Sequence, residues 1–242
     1  RDGNPLTFET TVRPVASRIE LNNSLLGQQV VDFNDVGMPS DAEFSSDGSL
    51  IFVALENSNQ VEIRDRFSGD RRGGFEDTGR APRSLLLSPD GRTLFVHNFI
   101  GRSISIHDTS AIAAGTGFEM PRISLINTVA SEQLSEIVLR GKELFYDSRD
   151  SRLTRDAYLA CSICHEDGGQ DGRVWDFTNR GEGLRNTISL RGRSATGHGP
   201  VHWSANFDEI HDFEHEIRRD SGGTGLMDDD DFFSGGRDHP LG

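Results

Sequence analysis

The sequence predicts a multidomain chain in which a repetitive β-sheet part is followed by a mainly α-helical part. The first observation is a repeat of alternating apolar and polar residues in the N-terminal half. The second is a pair of cysteines two residues apart, with a histidine directly after the second. The third is an apolar stripe at helical spacing that begins after residue 131. We expect one domain at residues 1–125 and the other at residues 126–242.

Composition and charge narrow the class of protein. The 242 residues could form one large or two ordinary domains. The formal net charge is −14 and Lys142 is the only lysine, so no basic surface is available for nucleic acid. No apolar run approaches the length of a membrane span. We therefore expect neither a nucleic-acid partner nor a membrane-spanning segment.

The N-terminal repeat has a period of 43 residues. Residues 39–53 align with residues 82–96, and residues 61–65 align with residues 104–108 at the same offset. Each unit contains alternating strands separated by an Asp-Gly turn and a polar turn. A period near 43 with about four strands per unit is typical of a β-propeller blade. The pattern predicts a partial propeller; the alternative is a small β-meander with open edges.

These repeats resemble the YVTN family of bacterial β-propeller repeats. The tetrapeptides at 52–55 and 95–98 stand where that family has its namesake sequence, and residues 18–21 resemble the tail of an earlier blade. The resemblance implies a ring of more blades than this stretch can supply, which is about two and a remnant. We therefore expect the sequence to be part of a longer chain.

The motif at 161–165 predicts covalent attachment of a c-type haem. Cys161 and Cys164 would bond the porphyrin vinyl groups, and His165 would bind the iron as the proximal axial ligand. A zinc site would need a second pair of ligands, and a redox dithiol would follow a βαβ pattern; the sequence has neither. Because haem c is the expected cofactor, we expect a periplasmic or otherwise extracytoplasmic location, with the cell surface included.

A helix is predicted ahead of the motif. Ser131 has the character of an N-cap, with acidic and amide residues in the first turn. The apolar stripe of this helix consists of Leu134, Ile137, Val138, Gly141 and Phe145. Because a glycine on a buried stripe lets another helix come close, we expect helix packing at Gly141.

Residues 131–220 resemble the bacterial di-haem cytochrome c peroxidase and MauG superfamily. The resemblance rests on residues 141–147, on residues 152–154 before the cysteine pair, and on residues 185–190, where Ile188 replaces the family's proline. It implies a mainly α-helical c-type cytochrome domain, a second haem in the full-length chain, and reduction of hydrogen peroxide with electrons from a donor protein. MauG-like members instead modify a partner protein, which here would dock on the propeller.

Further residues are candidates for the haem pocket. Trp175 and Phe177 are expected either to pack on the porphyrin edge or to belong to an ordinary small-domain core. Arg185, which begins the family element, is expected to hold a haem propionate. His198, His202 and Trp203 lie in a loop rich in glycine and proline and are expected near the distal side.

Proton transfer is assigned to two carboxylates, Glu209 and Asp212. They lie on a predicted helix whose apolar stripe contains Phe207, Ile210, Phe213 and Ile217. We expect the Glu209 side chain to point inward and that of Asp208 to face water. A distal carboxylate of this kind would move the proton during peroxide reduction.

Two alternatives concern the C-terminal part. Met227 follows the motif histidine at a distance that resembles Met-ligated cytochromes, which would make the protein a non-catalytic electron carrier. The spacing of His211, Glu214 and His215 matches one class of zinc peptidase. We expect instead that His215 lies on a charged, solvent-facing surface.

Overall fold

The computed structural model describes residues 14–19, 29–33, 36–178, 181–192, 197 and 199–234. The described residues form mainly β-sheet, arranged as four antiparallel sheets. The chain divides into two compact units, Arg1–Asp147 and Ser148–Gly242. None of the helices among the described residues has both the length and the apolar composition needed to cross a membrane.

The first unit contains one two-stranded and two four-stranded sheets. In the two-stranded sheet β1 (Val15–Arg18) pairs with β2 (Gln29–Asp32). The first four-stranded sheet, called here the first sheet, contains β3 (Pro39–Phe44), β4 (Leu50–Leu55), β5 (Gln60–Asp65) and β6 (Arg71–Phe75) in chain order. The second sheet contains β7 (Pro82–Leu87), β8 (Thr93–Asn98), β9 (Ser103–Asp108) and β10 (Arg122–Asn127), also in chain order.

Short helical segments complete the first unit. A 3-10 turn at Glu56–Ser58 joins β4 to β5, and a single helical turn at Ser110–Ala113 precedes β10. The longest helix of the described chain, Glu136–Tyr146, follows the second sheet.

The tight turns of the two sheets are built alike. In the turn at 45–48 the serine hydroxyl donates to the aspartate carboxylate at 2.6 Å, and the glycine N–H donates to the serine carbonyl at 2.8 Å. The turn at 88–91 repeats both hydrogen bonds at the same distances. The two glycines have φ values of 69° and 71°, a conformation that favours glycine. The prediction that these turns are equivalent in neighbouring four-stranded sheets is confirmed.

An apolar core lies between the two sheets. Since side chains alternate along a strand, one face of each sheet is apolar and packs against the other sheet. The first sheet contributes Phe52, Ala54, Val61 and Ile63, and the second sheet contributes Leu85, Leu94 and Val96. The opposite face of the first sheet packs against β1 and β2 through Val53 and Leu55.

The described residues cover the face of the second sheet that packs against the first sheet; they leave its opposite face more open. Phe95, Ile104 and Ile106 correspond in the repeat to Phe52, Val61 and Ile63, and pairing of β8 with β9 places them on the face turned away from the first sheet. Phe95, Ile104 and Ile106 are half-buried, whereas their counterparts are fully buried.

The helix before the motif differs from its prediction. It begins at Glu136, with Ser135 rather than Ser131 at the N-cap position. Ile137 is 81% exposed, and a Cβ added at Gly141 would meet no atom within 4 Å. Helix packing at Gly141 is therefore not formed among the described residues. The helix packs instead through its last turn, where Tyr146 is buried with residues of the loops beside β7 and β8.

The described part of the second unit has little regular structure. Its helical segments there are Cys161–Cys164, a 3-10 turn at Glu166–Gly168, a continuous run at 210–220 that begins as a 3-10 turn (Ile210–Phe213) and ends as a π-helical turn (Glu216–Asp220), and Asp229–Phe232. Its strands β11 (Val174–Phe177) and β12 (Gly183–Asn186) form a hairpin. The prediction of a mainly α-helical domain is wrong. Glycines with positive φ at 168, 172, 181 and 183 interrupt the chain between the motif and β12, where no helix longer than one turn is described. A continuous helical run at 210–220 covers most of the helix that was predicted to carry Asp212.

Candidate functional site

The two cysteines lie on one helical turn. Cys161–Cys164 forms this turn, and the backbone N–H of His165 donates to the Cys161 carbonyl at 3.0 Å. Both cysteines are free thiols. The geometry therefore presents two unpaired sulfurs from one short segment, with an imidazole directly after them.

His165 carries a polar atom that the described residues leave unsatisfied. Its Nδ1 is buried and has no hydrogen-bond partner in that part of the chain. Burying such a group without a partner costs free energy, so an orphaned imidazole nitrogen indicates that a further group belongs at the site. Two thiols and one imidazole are the donor set of a c-type haem, and the residues present fit that group.

The pKa values of the two thiols distinguish this site from a redox dithiol. Desolvation raises the pKa of Cys164 to about 12, and the nearby charge of Asp171 adds to the effect. Desolvation also raises the pKa of the Cys161 thiol, although the residue as a whole is exposed. Reactive cysteines have lowered pKa values, because the thiolate is the nucleophile. The raised values oppose thiol–disulfide chemistry at this motif.

Trp175 is anchored beside the loop that follows the motif. Its Nε1 donates to Asp171 Oδ2 at 3.0 Å and to Thr187 Oγ1 at 3.1 Å. Trp175 and Thr187 are both buried. Sequence reasoning missed Asp171 and Thr187; the Asp-Gly turn at 171–172 was the available signal for the first.

The segment after β12 runs along the loop that follows the motif. The Leu190 N–H donates to the Gly168 carbonyl at 2.9 Å, and Arg191 Nε donates to the Asp167 carbonyl at 3.4 Å. With the Trp175 to Thr187 bond, these contacts place residues 187–191 next to residues 167–171. Residues 187–191 therefore lie beside the loop that directly follows the motif.

Arg185 is engaged by a carboxylate in this structure. Its Nη2 lies 3.0 Å from Glu182 Oε2, which also accepts a hydrogen bond from Ser204 Oγ at 2.5 Å. The Ser204 hydrogen bond is the main cause of a lowered pKa of Glu182, and Arg185 contributes. The expected role of Arg185 in holding a propionate stays a prediction.

His202 and Trp203 belong to a cluster of rings. His202 stacks on Phe207 at 4.6 Å with an interplanar angle of 7°, and its Nδ1 lies 2.9 Å from Asn206 Oδ1. Trp203 contacts the Phe177 ring at 4.7 Å. The backbone of His202 has a φ of 72°, which is uncommon for a residue with a side chain. His198 lies outside the described residues.

Trp203 connects this cluster to the segment beside the motif. Its Nε1 donates to the Asn186 carbonyl at 2.8 Å, at the end of β12. Trp175, Arg185 and Trp203 are thus brought together by the hairpin of β11 and β12.

The two candidate acids have different surroundings. Asp212 is 3% exposed, and its Oδ2 accepts hydrogen bonds from the backbone N–H groups of Asp208 at 2.9 Å and Glu209 at 3.1 Å. The Glu209 side chain is 44% exposed, with Oε2 at 3.8 Å from His211 Nδ1. Asp208 faces water as expected, whereas Glu209 is half-exposed rather than turned fully inward.

The expectation of a solvent-facing His215 is wrong. His215 is 3% exposed and packs between the rings of Phe207 at 6.4 Å and Phe232 at 5.1 Å. Glu214 is also buried, and its carboxylate accepts from Arg218 Nε at 3.1 Å and from the Leu226 N–H at 2.7 Å. The aromatic residues on both sides of this segment enclose it, which its own acidic composition did not indicate.

The zinc-peptidase spacing does not form a metal site among the described residues. His211 is exposed, away from the buried side chains of Glu214 and His215. Within those residues no group of three or more histidine, cysteine, aspartate and glutamate side chains could hold a metal ion.

The backbone of Met227 is held by the π-helical turn. Arg218 Nη2 donates to the Met227 carbonyl at 2.7 Å, and Arg218 Nη1 pairs with Asp229 Oδ1 at 2.7 Å. The Met227 side chain is not among the buried core residues. Its role as a sixth iron ligand stays a prediction.

Among the comparisons with known proteins, only the search of solved structures finds proteins similar to this chain. No family model matches the chain, and a search of curated proteins finds no match. Among solved structures, Kuenenia stuttgartiensis hydrazine synthase is 18% identical over 45% of this chain and 28% of that chain, with a TM-score of 0.36. The β-propeller domain of Myceliophteria thermophila Cps50 (Swd1) is 13% identical over 47% and 38%, with a TM-score of 0.39.

A third solved structure is a putative 6-phosphogluconolactonase from Bacteroides uniformis. It is 19% identical over 50% of this chain and 37% of that chain, with a TM-score of 0.41. This chain thus spans less than two-fifths of the length of each of these three structures.

Proposed function

We propose that the second unit carries a covalently attached c-type haem and that the protein is an extracytoplasmic haem oxidoreductase that reduces hydrogen peroxide. The observation that carries the proposal is the pair of unpaired thiols on one helical turn, followed by His165 with its unsatisfied, buried Nδ1. Cys161 and Cys164 would hold the group through thioether bonds, and His165 would be its axial ligand. When bound, the haem would supply one-electron redox chemistry.

The surroundings of the motif favour haem attachment by the two cysteines over redox chemistry of a dithiol. The raised pKa of Cys164 opposes a thiolate mechanism. Trp175 is held beside the loop that follows the motif, with its N–H bonded to Asp171 and Thr187, and packing of its indole on the porphyrin edge is part of the proposal.

Peroxide reduction is the reaction favoured by the sequence. Residues 131–220 resemble di-haem cytochrome c peroxidases, in which electrons reach the reacting haem from a second haem and from a donor protein. On this proposal the second haem belongs to a part of the protein beyond residues 1–242, and the blade-like sheets form part of a propeller.

Glu209 is the carboxylate best placed to move protons. Its side chain reaches water, and its Oε2 lies 3.8 Å from Nδ1 of the exposed His211. The two carboxylates cap the same turn: that of Asp212 is buried and accepts from two backbone N–H groups, whereas that of Glu209 accepts from the Asp212 N–H and stays partly exposed. We therefore assign proton transfer at the Oε atoms to Glu209 and a positioning role to Asp212.

The experiment is peroxide turnover by the haem-loaded, full-length protein and its Glu209→Gln variant. Loss of proton transfer should slow turnover by about 10²–10⁴-fold and leave covalent haem content unchanged. The matched control is Asp208→Asn, a change of the same kind at the neighbouring exposed residue, which should retain activity. Equal turnover in all three proteins would remove Glu209 from the mechanism.

Electron paramagnetic resonance of the same protein separates the peroxidase from an electron carrier. High-spin ferric haem with peroxide turnover supports the proposal. A low-spin spectrum in every redox state that becomes high-spin in Met227→Ala would identify Met227 as a sixth ligand and contradict peroxide reduction. Oxidation of a protein bound to the propeller, without turnover of peroxide and electron donor alone, would favour the MauG-like reading.

A further inference from the structure

The chain makes a tight turn directly after the motif. The Gly168 N–H donates to the His165 carbonyl at 2.9 Å, and the Gly169 N–H donates to the Glu166 carbonyl at 2.7 Å. Asp167, in the middle of this turn, has a φ of 48°, which is uncommon for a residue with a side chain. The turn therefore satisfies its first two carbonyls internally and holds one residue in the left-handed region.

The next two carbonyls of this turn accept hydrogen bonds from a segment that is distant in sequence. The Gly168 carbonyl accepts from the Leu190 N–H at 2.9 Å, and the Asp167 carbonyl accepts from Arg191 Nε at 3.4 Å. A Cβ added at Gly169 would lie 3.5 Å from Arg191 Cζ, so the guanidinium lies against the end of the turn. Leu190 and Arg191 thus hold the turn from outside.

Neither a salt bridge nor core packing accounts for the position of Arg191. Its hydrogen bonds within the described chain are those of Nε to the Asp167 carbonyl and of its backbone N–H to Ser189 Oγ at 3.4 Å, and no carboxylate pairs with it there. Arg185, in contrast, is paired with Glu182. Arg191 is also exposed, so it fills no core. The contact that its side chain makes is the contact with the turn after the motif.

The position of this turn bears on His165 because the turn begins there. The His165 N–H donates to the Cys161 carbonyl at 3.0 Å and ends the helical turn of the motif, while the His165 carbonyl accepts from the Gly168 N–H. The backbone of His165 is therefore held on both sides. An imidazole on a fixed backbone loses less conformational entropy when it binds a metal than an imidazole on a mobile loop.

We propose that Arg191 is a positioning residue for the axial histidine, whose Nε holds the turn that follows His165 and so keeps the imidazole on the iron of the attached haem. The inference rests on the proposed function. Without this donor the turn keeps only the Leu190 N–H as a hydrogen bond from outside. The turn should then open more often, and the histidine should leave the iron more readily.

The test is electron paramagnetic resonance of the reduced, haem-loaded protein with nitric oxide as the probe. Nitric oxide weakens the bond between the iron and the ligand on its opposite side. The ratio of five- to six-coordinate nitrosyl haem therefore reports how firmly the histidine is held. We expect mainly six-coordinate haem in the unaltered protein and a ratio about fivefold higher in Arg191→Met, which keeps the length of the side chain up to Nε but has no donor.

Two further variants isolate the hydrogen bond. Arg191→Gln places an amide N–H where arginine has Nε and removes the charge, so it should keep the ratio of the unaltered protein. Arg219→Met removes another exposed arginine of the second unit, also without a carboxylate partner among the described residues, and should leave the ratio unchanged. Because both arginines are exposed, all three variants should fold and retain covalent haem.

The outcomes separate the inference from the function on which it rests. With covalent haem present, the role of Arg191 would be overturned by an unchanged ratio in Arg191→Met or by an equal rise in Arg191→Gln or Arg219→Met. Nitrosyl haem that is already five-coordinate in the unaltered protein would overturn it too, because the histidine would then not be held. Absence of covalent haem from the unaltered protein would overturn the proposed function itself.

Discussion

The two compact units are stabilised by different chemistry. In the first unit, an extended apolar layer lies between two sheets that repeat every 43 residues, and buried polar groups such as Glu62 and His107 lie on their strands. In the second unit, buried aromatic rings lie beside buried polar groups such as Asp212, Glu214 and His215. The first unit is stabilised by apolar burial and strand pairing, which its own sequence supplies.

The second unit obtains less of its stability from regular secondary structure of its own chain. Its longest described helical run, at residues 210–220, changes from 3-10 to π geometry, and on the proposed function a covalent group is held at Cys161 and Cys164. A unit of this kind is expected to depend on that group for stability, because anything that binds the folded state and not the unfolded state stabilises the folded state. The predictions below test this difference.

The largest effect is expected from loss of the attached group. Cys161→Ala combined with Cys164→Ala should leave haem that is extractable and lower the stability of the second unit by ~3 kcal/mol or more, as for an emptied core position. In a unit of this size that is a fall in Tm of roughly 12 °C or more. Calorimetry should show the first unit's transition unchanged, and unaltered protein made without haem should match the variant. If the unfolding transitions of both units were unchanged, the second unit would not depend on the attached group, and the proposed difference between the units would be wrong.

The next effect compares equivalent positions of the repeat. Phe52 is 1% exposed between the sheets, so Phe52→Ala should cost about 3–5 kcal/mol. Phe95, 43 residues later, is half-buried on the open face, and Phe95→Ala should cost about 1–2 kcal/mol. Denaturant unfolding of the first unit measures both. Equal losses would mean that the open face of the second sheet is covered in the protein as it exists.

A smaller effect concerns a buried histidine of the first unit. Desolvation lowers the pKa of His107 below its ordinary value of 6.5, while Asp77 opposes the shift and Arg122 adds to it. Because the folded state keeps His107 neutral, its contribution is fully present above pH 6.5 and is lost as the pH falls below that value. The slope is at most about 1.4 kcal/mol per pH unit. His107→Asn should flatten the dependence, whereas His97→Asn, at an exposed position, should leave it unchanged.

The smallest expected loss of stability comes from replacing the aspartates of the two equivalent turns. The Ser45 hydroxyl is the main cause that lowers the pKa of Asp47 to about 2, and Ser88 lowers that of Asp90 in the same way. A carboxylate with a lowered pKa stabilises the fold above its ordinary value of 3.8 and loses that contribution as the pH falls. Asp47→Asn and Asp90→Asn should each cause a small loss at pH 7, similar in size, that disappears near pH 2. A loss at one turn only would contradict their equivalence.

The sequence predicted most where the determinants are local. The Asp-Gly turns and the strands around them follow from hydrogen bonds within a few residues, and the 43-residue period placed both correctly. The pattern could not show what covers each face. The stripe of the helix Glu136–Tyr146 is apolar in sequence, yet Ile137 is largely exposed in the structure.

The second unit was less predictable because its contacts are distant in sequence. The motif at 161–165 is predicted from its spacing alone, because attachment chemistry fixes that spacing, and attachment itself stays a prediction. Thr187 reaches Trp175 from 12 residues away, and His215 is enclosed by rings from two other segments. No pattern among neighbouring residues predicts either contact, because the partners are separated by glycine-rich segments whose path is not evident from the sequence.

The measurement that tests the central claim most directly is the mass of the intact polypeptide made in a periplasm with haem-attachment machinery. After extraction with acidified organic solvent, we predict that the chain retains the mass of one haem and that neither Cys161 nor Cys164 reacts with a thiol reagent. Loss of the haem mass, with both cysteines open to alkylation, would contradict covalent attachment and with it the proposed function.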